Sequence, residues 1–99
     1  MRIISRKMLR DFWENPDYRD TEQPLKAWFA EVKAAKWSNP ADVLAHYRTA
    51  SPLRDNRMVF NIGGNKYRLV VRIQYNIGIT YIRFIGTHKQ YDQIDAEKI

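Results

Sequence analysis

Residues 57–92, RMVFNIGGNKYRLVVRIQYNIGITYIRFIGTHKQYD, read as three β-strands joined by two tight turns and followed by a short helical turn. Gly64-Asn65 suits a two-residue hairpin loop whose first position takes a positive φ, which glycine adopts at no steric cost. That loop sets Ile62 opposite Tyr67, Phe60 opposite Leu69 and Met58 opposite Val71. Side chains alternate along a strand, so these pairs share one face. Around Asn76-Ile77-Gly78, a two-residue loop puts Val71 opposite Ile82 and Leu69 opposite Phe84. A three-residue loop would bring Arg83 onto that apolar face. A one-residue slip turns every apolar side chain of a strand outward, so the two-residue register is the expectation.

The opposite face then carries three rows: Arg57, Arg72 and Tyr81; Val59, Val70 and Arg83; Asn61, Arg68 and Ile85. Lys66 sits at the rim beside the glycine turn. Residues 57–91 contain six Lys and Arg and no Asp or Glu. Arginines gathered without a carboxylate repel one another unless an anion lies among them, which makes this face a candidate surface for RNA. The plain alternative is a solvated outer face, since antiparallel sheets commonly have one and strands disfavour acids.

Ninety-nine residues with 44% hydrophobic and 28% charged side chains suit one ordinary globular domain, residues 1–99, with a single core. The absence of cysteine excludes disulfides and thiolate chemistry. No apolar run approaches 18 residues and the N-terminus lacks a signal-peptide pattern, so the expectation is a cytoplasmic protein without membrane contact. The net charge of +6 is unevenly placed: residues 1–56 sum to +2, residues 57–91 to +6 and residues 92–99 to −2. An excess confined to the meander points to a polyanionic partner.

Ahead of the meander, Met1–Ile4 reads as a strand of the same sheet. Ser5 is a good N-cap for a helix carrying Met8, Leu9, Phe12 and Trp13, which should stop before Pro16. Asn15–Asp20 reads as a loop. A second helix is expected from Asp20 or Thr21, with Asp20 and Gln23 spaced as a capping box and Leu25, Trp28, Phe29 and Val32 as its buried stripe. Asn39-Pro40 opens a short third helix through Val43, Leu44 and Tyr47. His46, beside it, reads as structural or solvated. Arg48–Asn56 is a non-periodic linker. The sum is an α+β, two-layer arrangement: an N-terminal strand, and two or three helices on one face of an antiparallel sheet that ends in the meander. The other face, with the arginines, is left open.

Beyond the last strand, Thr87 and Gln90 again have capping-box spacing, and His88 and Tyr91, three residues apart, share a face of the turn. An imidazole, a phenol and several guanidiniums then converge. That set suits RNA cleavage without a metal or other cofactor. The ribose 2′-OH attacks the adjacent phosphorus, one group takes its proton and another protonates the departing 5′-oxygen. Imidazole serves in either role near neutrality, and cations shift a phenol toward phenolate. Arg68 and Arg83 would hold the phosphate by forked hydrogen bonds. There is no HExxH motif, cysteine cluster or phosphate-binding glycine loop. Asp92, Asp95 and Glu97 read as a solvated tail or helix.

NIGGNKYRLVV together with YIRFIGTHKQYD resembles the HigB toxins of bacterial type II toxin–antitoxin systems, within the wider RelE-like group. The resemblance covers nearly the whole chain. It implies a RelE-like domain that cleaves mRNA, typically in the ribosomal A site, and a cognate HigA-type helix-turn-helix antitoxin. Carried over by position, it makes Arg68 and Arg83 phosphate contacts and His88 and Tyr91 the acid–base pair. Lys66, Arg72 and Lys89 become supporting RNA contacts, to which the face geometry adds Arg57 and Asn61. Two other classes stay open on residues alone: a RelE-fold toxin that poisons gyrase without cutting RNA, and a non-catalytic RNA-binding module.

Overall fold

The computed structural model describes residues 1–99. Its elements run β1 (Arg2–Ile4), α1 (Arg6–Glu14), a 3-10 segment (Pro16–Thr21), α2 (Glu22–Ala34) and α3 (Pro40–His46). There follow β2 (Ser51–Pro52), β3 (Arg57–Ile62), β4 (Tyr67–Gln74), β5 (Ile79–Thr87) and α4 (His88–Tyr91). The strands form one five-stranded sheet in the order β1-β5-β4-β3-β2. Strand β1 runs parallel to β5 and every other pairing is antiparallel, which makes an α+β fold with a C-terminal meander. No helix is long and apolar enough to cross a membrane.

The helices bury one face of the sheet. Leu9 and Trp13 of α1, Leu25, Trp28 and Val32 of α2, and Val43 of α3 meet Phe60, Leu69, Val71, Ile73 and Ile82 in a single core. Trp28 meets Phe60 edge-on at 5.4 Å between ring centroids, the favoured geometry for opposed ring quadrupoles. The helix ends follow their punctuation where proline is involved. Asn39 accepts a hydrogen bond from the Asp42 amide with Pro40 at the first helical position, and α1 closes at Asn15 before Pro16.

Other local readings change. Ser5 occupies the N-cap position of α1 with φ 77° and makes no side-chain cap. Asn15–Asp20 is not an irregular loop. The Asn15 side chain accepts from the Asp17 amide, and Pro16, which cannot donate, opens a 3-10 segment. The Asp20–Gln23 capping box does not form, because the Asp20 carboxylate is taken by β4-side partners instead: Lys66 Nζ at 2.6 Å and Tyr67 Oη at 2.7 Å. Within the linker, Ser51-Pro52 pairs with Val59 and Met58 as a two-residue edge strand. Proline is tolerated at such an edge, where its missing N–H faces no neighbour.

The expected meander register holds for β3 and β4, including Ile62 with Tyr67 and Met58 with Val71. Between β4 and β5, Val71 pairs with Ile82 as expected, but a β-bulge follows, and Val70 then pairs with Phe84, Leu69 with Ile85 and Arg68 with Gly86. The extra residue, Arg83, bends outward. The bulge lets β5 change its facing midway, with Ile82 and Ile85 both packed toward the helices while Phe84 turns to the opposite side. Strict alternation would have sent Ile85 to the opposite face, beside Asn61 and Arg68.

The second face is not open. Val59 and Val70 are buried there beneath Ala96, with Leu53, Phe84, Tyr91, Ile94 and Ile99 packed around them. Arg57 Nε and Nη2 donate to the main-chain oxygen of Ile99 at 2.9 and 2.5 Å, pinning the returning C-terminal segment. Two valines and a phenylalanine in the middle of this face are too much apolar surface to leave in water.

Candidate active site

Helix α4 is one turn long, too short to be stable by itself, so its position depends on its ties. Thr87 Oγ1 accepts from the Gln90 amide at 3.1 Å, and Gln90 Oε1 accepts from the Thr87 amide at 2.9 Å, the reciprocal capping box expected from the spacing. Gln90 Nε2 also donates to the Tyr18 hydroxyl of the 3-10 segment at 3.2 Å. The His88 amide extends the β-ladder by donating to Lys66 O at 3.2 Å. Tyr18 is itself held by stacking on Phe12, with centroids 4.3 Å apart, and by an edge contact to Tyr67. Gly86 completes the junction. A Cβ there would lie 2.5 Å from the tip of Phe84 and 2.7 Å from Gln90 Oε1, so glycine is required for close approach rather than for an unusual φ.

These ties put His88 and Tyr91 at the hairpin end of the sheet. The His88 side chain is 55% exposed and its Nδ1 lies 3.2 Å from Asp92 Oδ2. Tyr91 is half-buried against the Val59–Val70–Ala96 cluster and lines a cleft of about 390 Å³ with Leu53, Asp92, Ile94 and Glu97. Arg68 emerges from β4 on that same face, pairing with Gly86 just before α4. Its guanidinium folds back over its own turn, with Nη2 3.0 Å from Asn65 Oδ1 and Nη1 3.1 Å from Asn65 O. Those acceptors are neutral, so the charge of Arg68 stays uncompensated. Arg83 projects from the bulge, exposed, with its guanidinium 5.5 Å from the centre of the ring of Tyr81, the residue paired with Arg72, so it leans toward that row rather than toward Arg68. Lys89 is exposed on α4.

The remaining candidates lie elsewhere or are occupied. Arg57 and Arg72 pair with each other and Arg72 with Tyr81 in the row nearer the opposite end of the sheet. That row is four residues along β4 from Arg68, roughly 13 Å. The Arg57 side chain is only 11% exposed and holds Ile99 O, while Arg72 Nε donates to Asp55 O at 3.3 Å. Asn61 Nδ2 donates to Thr49 O at 3.4 Å. Lys66 is paired with Asp20. The hydrogen bond from Lys66 lowers the Asp20 carboxyl below its usual value, with Tyr67 adding to it, and Asp20 in turn raises Lys66. The Tyr67 phenol is raised, first by burial and then by its bond to Asp20.

An acid-free stretch of sequence is thus not an acid-free surface. Asp20, Asp55 and Asp92 all come from outside residues 57–91 and reach its cations or its histidine. Arg68, Arg72, Arg83 and Lys89 are the meander cations without a carboxylate within 4.0 Å. No group of three or more His, Cys, Asp or Glu side chains is placed to hold a metal ion. Sequence reasoning passed over Asp92, whose spacing of four from His88 across one helical turn was the available signal. It also assigned Asp20 to the wrong partner. Nothing local in DYRDTEQP announces a contact to the hairpin 46 residues later.

Comparison with known proteins gives the family. The HigB toxin family, described as the RelE-like toxic component of a toxin-antitoxin system, matches residues 21–94. The "mRNA interferase toxin HigB" of Escherichia coli (strain K12) is 31% identical over 98 residues, covering 97% of this chain and 92% of that protein. Proteins named "mRNA interferase HigB" from Escherichia coli O157:H7 and Shigella flexneri are similar to the same extent. With the α4 junction, the YIRFIGTHKQYD segment and these matches in agreement, the chain belongs to the HigB family of RelE-like toxins.

Proposed function

We propose that this toxin is an mRNA endonuclease acting in the ribosomal A site, that it uses no metal, and that a HigA-type helix-turn-helix antitoxin restrains it. The observation that carries the reading is the junction at α4. An exposed imidazole and a phenol sit there at the mouth of a face whose Arg68, Arg83 and Lys89 lack carboxylate partners. The relatives' name, mRNA interferase, agrees with it.

In the proposed reaction the ribose 2′-oxygen attacks the adjacent phosphorus while a base removes its proton. The bond from phosphorus to the 5′-oxygen breaks, and an acid returns a proton to that oxygen. The products are a 2′,3′-cyclic phosphate and a free 5′-hydroxyl. His88 and Tyr91 form the acid–base pair. Arg68 and Arg83 take the non-bridging oxygens and the charge that grows on them, Arg68 exchanging the neutral oxygens of its turn for phosphate. Lys89 and Arg72 extend the cationic track for the flanking nucleotides, and Lys66 joins it where an RNA phosphate takes the place of Asp20. Much of the acceleration comes from holding the 2′-OH in line with its leaving group.

The test is to induce the protein and map new 5′ ends on cellular mRNA. Wild type should generate cuts on translated messages. His88→Gln and Tyr91→Phe should each cut on the order of 10²–10⁴-fold more slowly while remaining folded. Intact transcripts with altered plasmid supercoiling would instead select the gyrase-poisoning reading. Salt-sensitive RNA binding without cleavage would select the binding module.

A further inference from the structure

We infer that Asp92 is a positioning residue for the chemistry, acting through His88; this deepens the active-site reading above and rests on it. The carboxylate lies 3.2 Å from Nδ1 of an exposed imidazole that has no other charged partner. The backbone makes the placement reproducible: the Asp92 amide donates to His88 O at 3.0 Å, closing the single turn of α4, so residues four apart fall on one flank. The start of the turn is locked by the Thr87–Gln90 capping box and by the His88 amide on Lys66 O.

A carboxylate beside Nδ1 favours the tautomer with its proton on that nitrogen and leaves the Nε2 lone pair pointing outward. With the proton on Nδ1, the outward-facing Nε2 is the nitrogen that accepts a proton from the 2′-OH. The partner Lys66 is already neutralised by Asp20. Stability does not account for the pair. Its side chains are 55% and 58% exposed, and ion pairs so wetted contribute little to folding. What the contact changes is the direction and protonation pattern of the ring.

The test compares wild type, Asp92→Ala, Asp92→Asn, His88→Gln and the double variant His88→Gln/Asp92→Ala in single-turnover cleavage of ribosome-bound mRNA. Melting temperature and imidazole ¹⁵N shifts are recorded on the same chains, the shifts well above the ordinary imidazole pKa of about 6.5. Asp92→Ala should slow cleavage about 10–100-fold, with unchanged melting and RNA affinity, and its ¹⁵N shifts should report mixed tautomers where wild type reports the Nδ1-protonated one. Asp92→Asn, which keeps an amide oxygen of the same shape beside Nδ1, should retain most of the rate. The double variant should be no slower than His88→Gln alone. Wild-type rates in Asp92→Ala, equal losses in both Asp92 variants, or losses that multiply in the double variant would overturn the positioning role while leaving the nuclease reading standing. If His88→Gln cuts as fast as wild type, the active-site reading itself falls and the role of Asp92 falls with it.

Discussion

The two faces of the sheet are buried by different means. Toward the helices, sixteen buried side chains form one continuous core. Behind the sheet, three buried residues form a narrow strip, Val59, Val70 and Ala96, closed by the returning C-terminal segment and flanked by arginines. The helix side buries sixteen residues and the second face three, so folding free energy is concentrated on the helix side, while the second face keeps Arg68, Arg72 and Arg83 without carboxylate partners around its strip. Stability and chemistry should therefore separate by face.

The largest expected effects test that separation directly. Trp28→Ala, deep in the helix-side core, should cost about 3–5 kcal/mol in urea unfolding. His88→Gln should leave the unfolding midpoint in place while removing cleavage. If His88→Gln also unfolds the chain, the α4 junction is part of the core and the two faces are not independent.

Gly86→Ala probes the seam between them. The added methyl would meet Phe84 and the Gln90 amide oxygen at once, so either the ring leaves the second-face strip or the capping box opens. The expected cost is about 1–3 kcal/mol, accompanied by slower cleavage because His88 loses its anchored turn. Loss of activity with no loss of stability would mean that the ring yields easily and the strip is looser than its burial suggests.

Within the second face, Arg57 and Arg68 should behave as opposites. Arg57, nearly enclosed and bonded to Ile99 O, is a fastener: Arg57→Ala should cost about 1.5–3 kcal/mol of stability and leave RNA binding almost unchanged. Arg68→Ala should leave stability alone, weaken RNA binding, and reduce the slope of log K against log salt by roughly 0.7. Titrating RNA across salt concentrations while recording melting curves reads both. A salt slope that changes equally in the two variants would remove the distinction.

The same division explains what was legible in the sequence. Alternation and the glycine-first turn were enough to place Met58, Phe60, Leu69 and Val71 on the core face, because a wrong register there would expose a whole strand. The Thr87–Gln90 box was equally plain, being local. The bulge at Arg83 was not. Phe84 and Ile85 are both apolar, and which of them faces the helices is decided by what lies across from each, including Ala96, Ile94 and Ile99 arriving from the end of the chain. The covering of the second face was missed for the same reason, since the tail reads as solvated when its acids are counted and its apolar residues are not. Asp20 shows the limit most clearly. Its spacing to Gln23 satisfies a local rule, but two partners distant in sequence hold it more firmly than a helix N-terminus would.

Asp20 also supplies the smallest of the expected effects, one visible only against pH. The folded state lowers its pKa from the ordinary 3.8, chiefly through the hydrogen bond from Lys66 and then that from Tyr67. A depressed carboxyl stabilises the fold above its unfolded pKa, and that contribution is lost as pH falls through the lowered folded value. Lys66 is raised from 10.5 and Tyr67 from 10.0, so their share is present below those values and lost as pH rises through the folded ones. In Asp20→Asn the Tyr67 hydroxyl keeps an acceptor, and what disappears is the charge. The gap in unfolding free energy between wild type and Asp20→Asn should thus be level from neutrality down to about pH 4 and should close in stronger acid. The gap is modest throughout, because the Asp20 and Lys66 side chains are 47% and 67% exposed and water screens them. A gap that persists unchanged into strong acid would assign the destabilisation to lost packing around Tyr67, and would make this tie between the 3-10 segment and the hairpin steric rather than electrostatic.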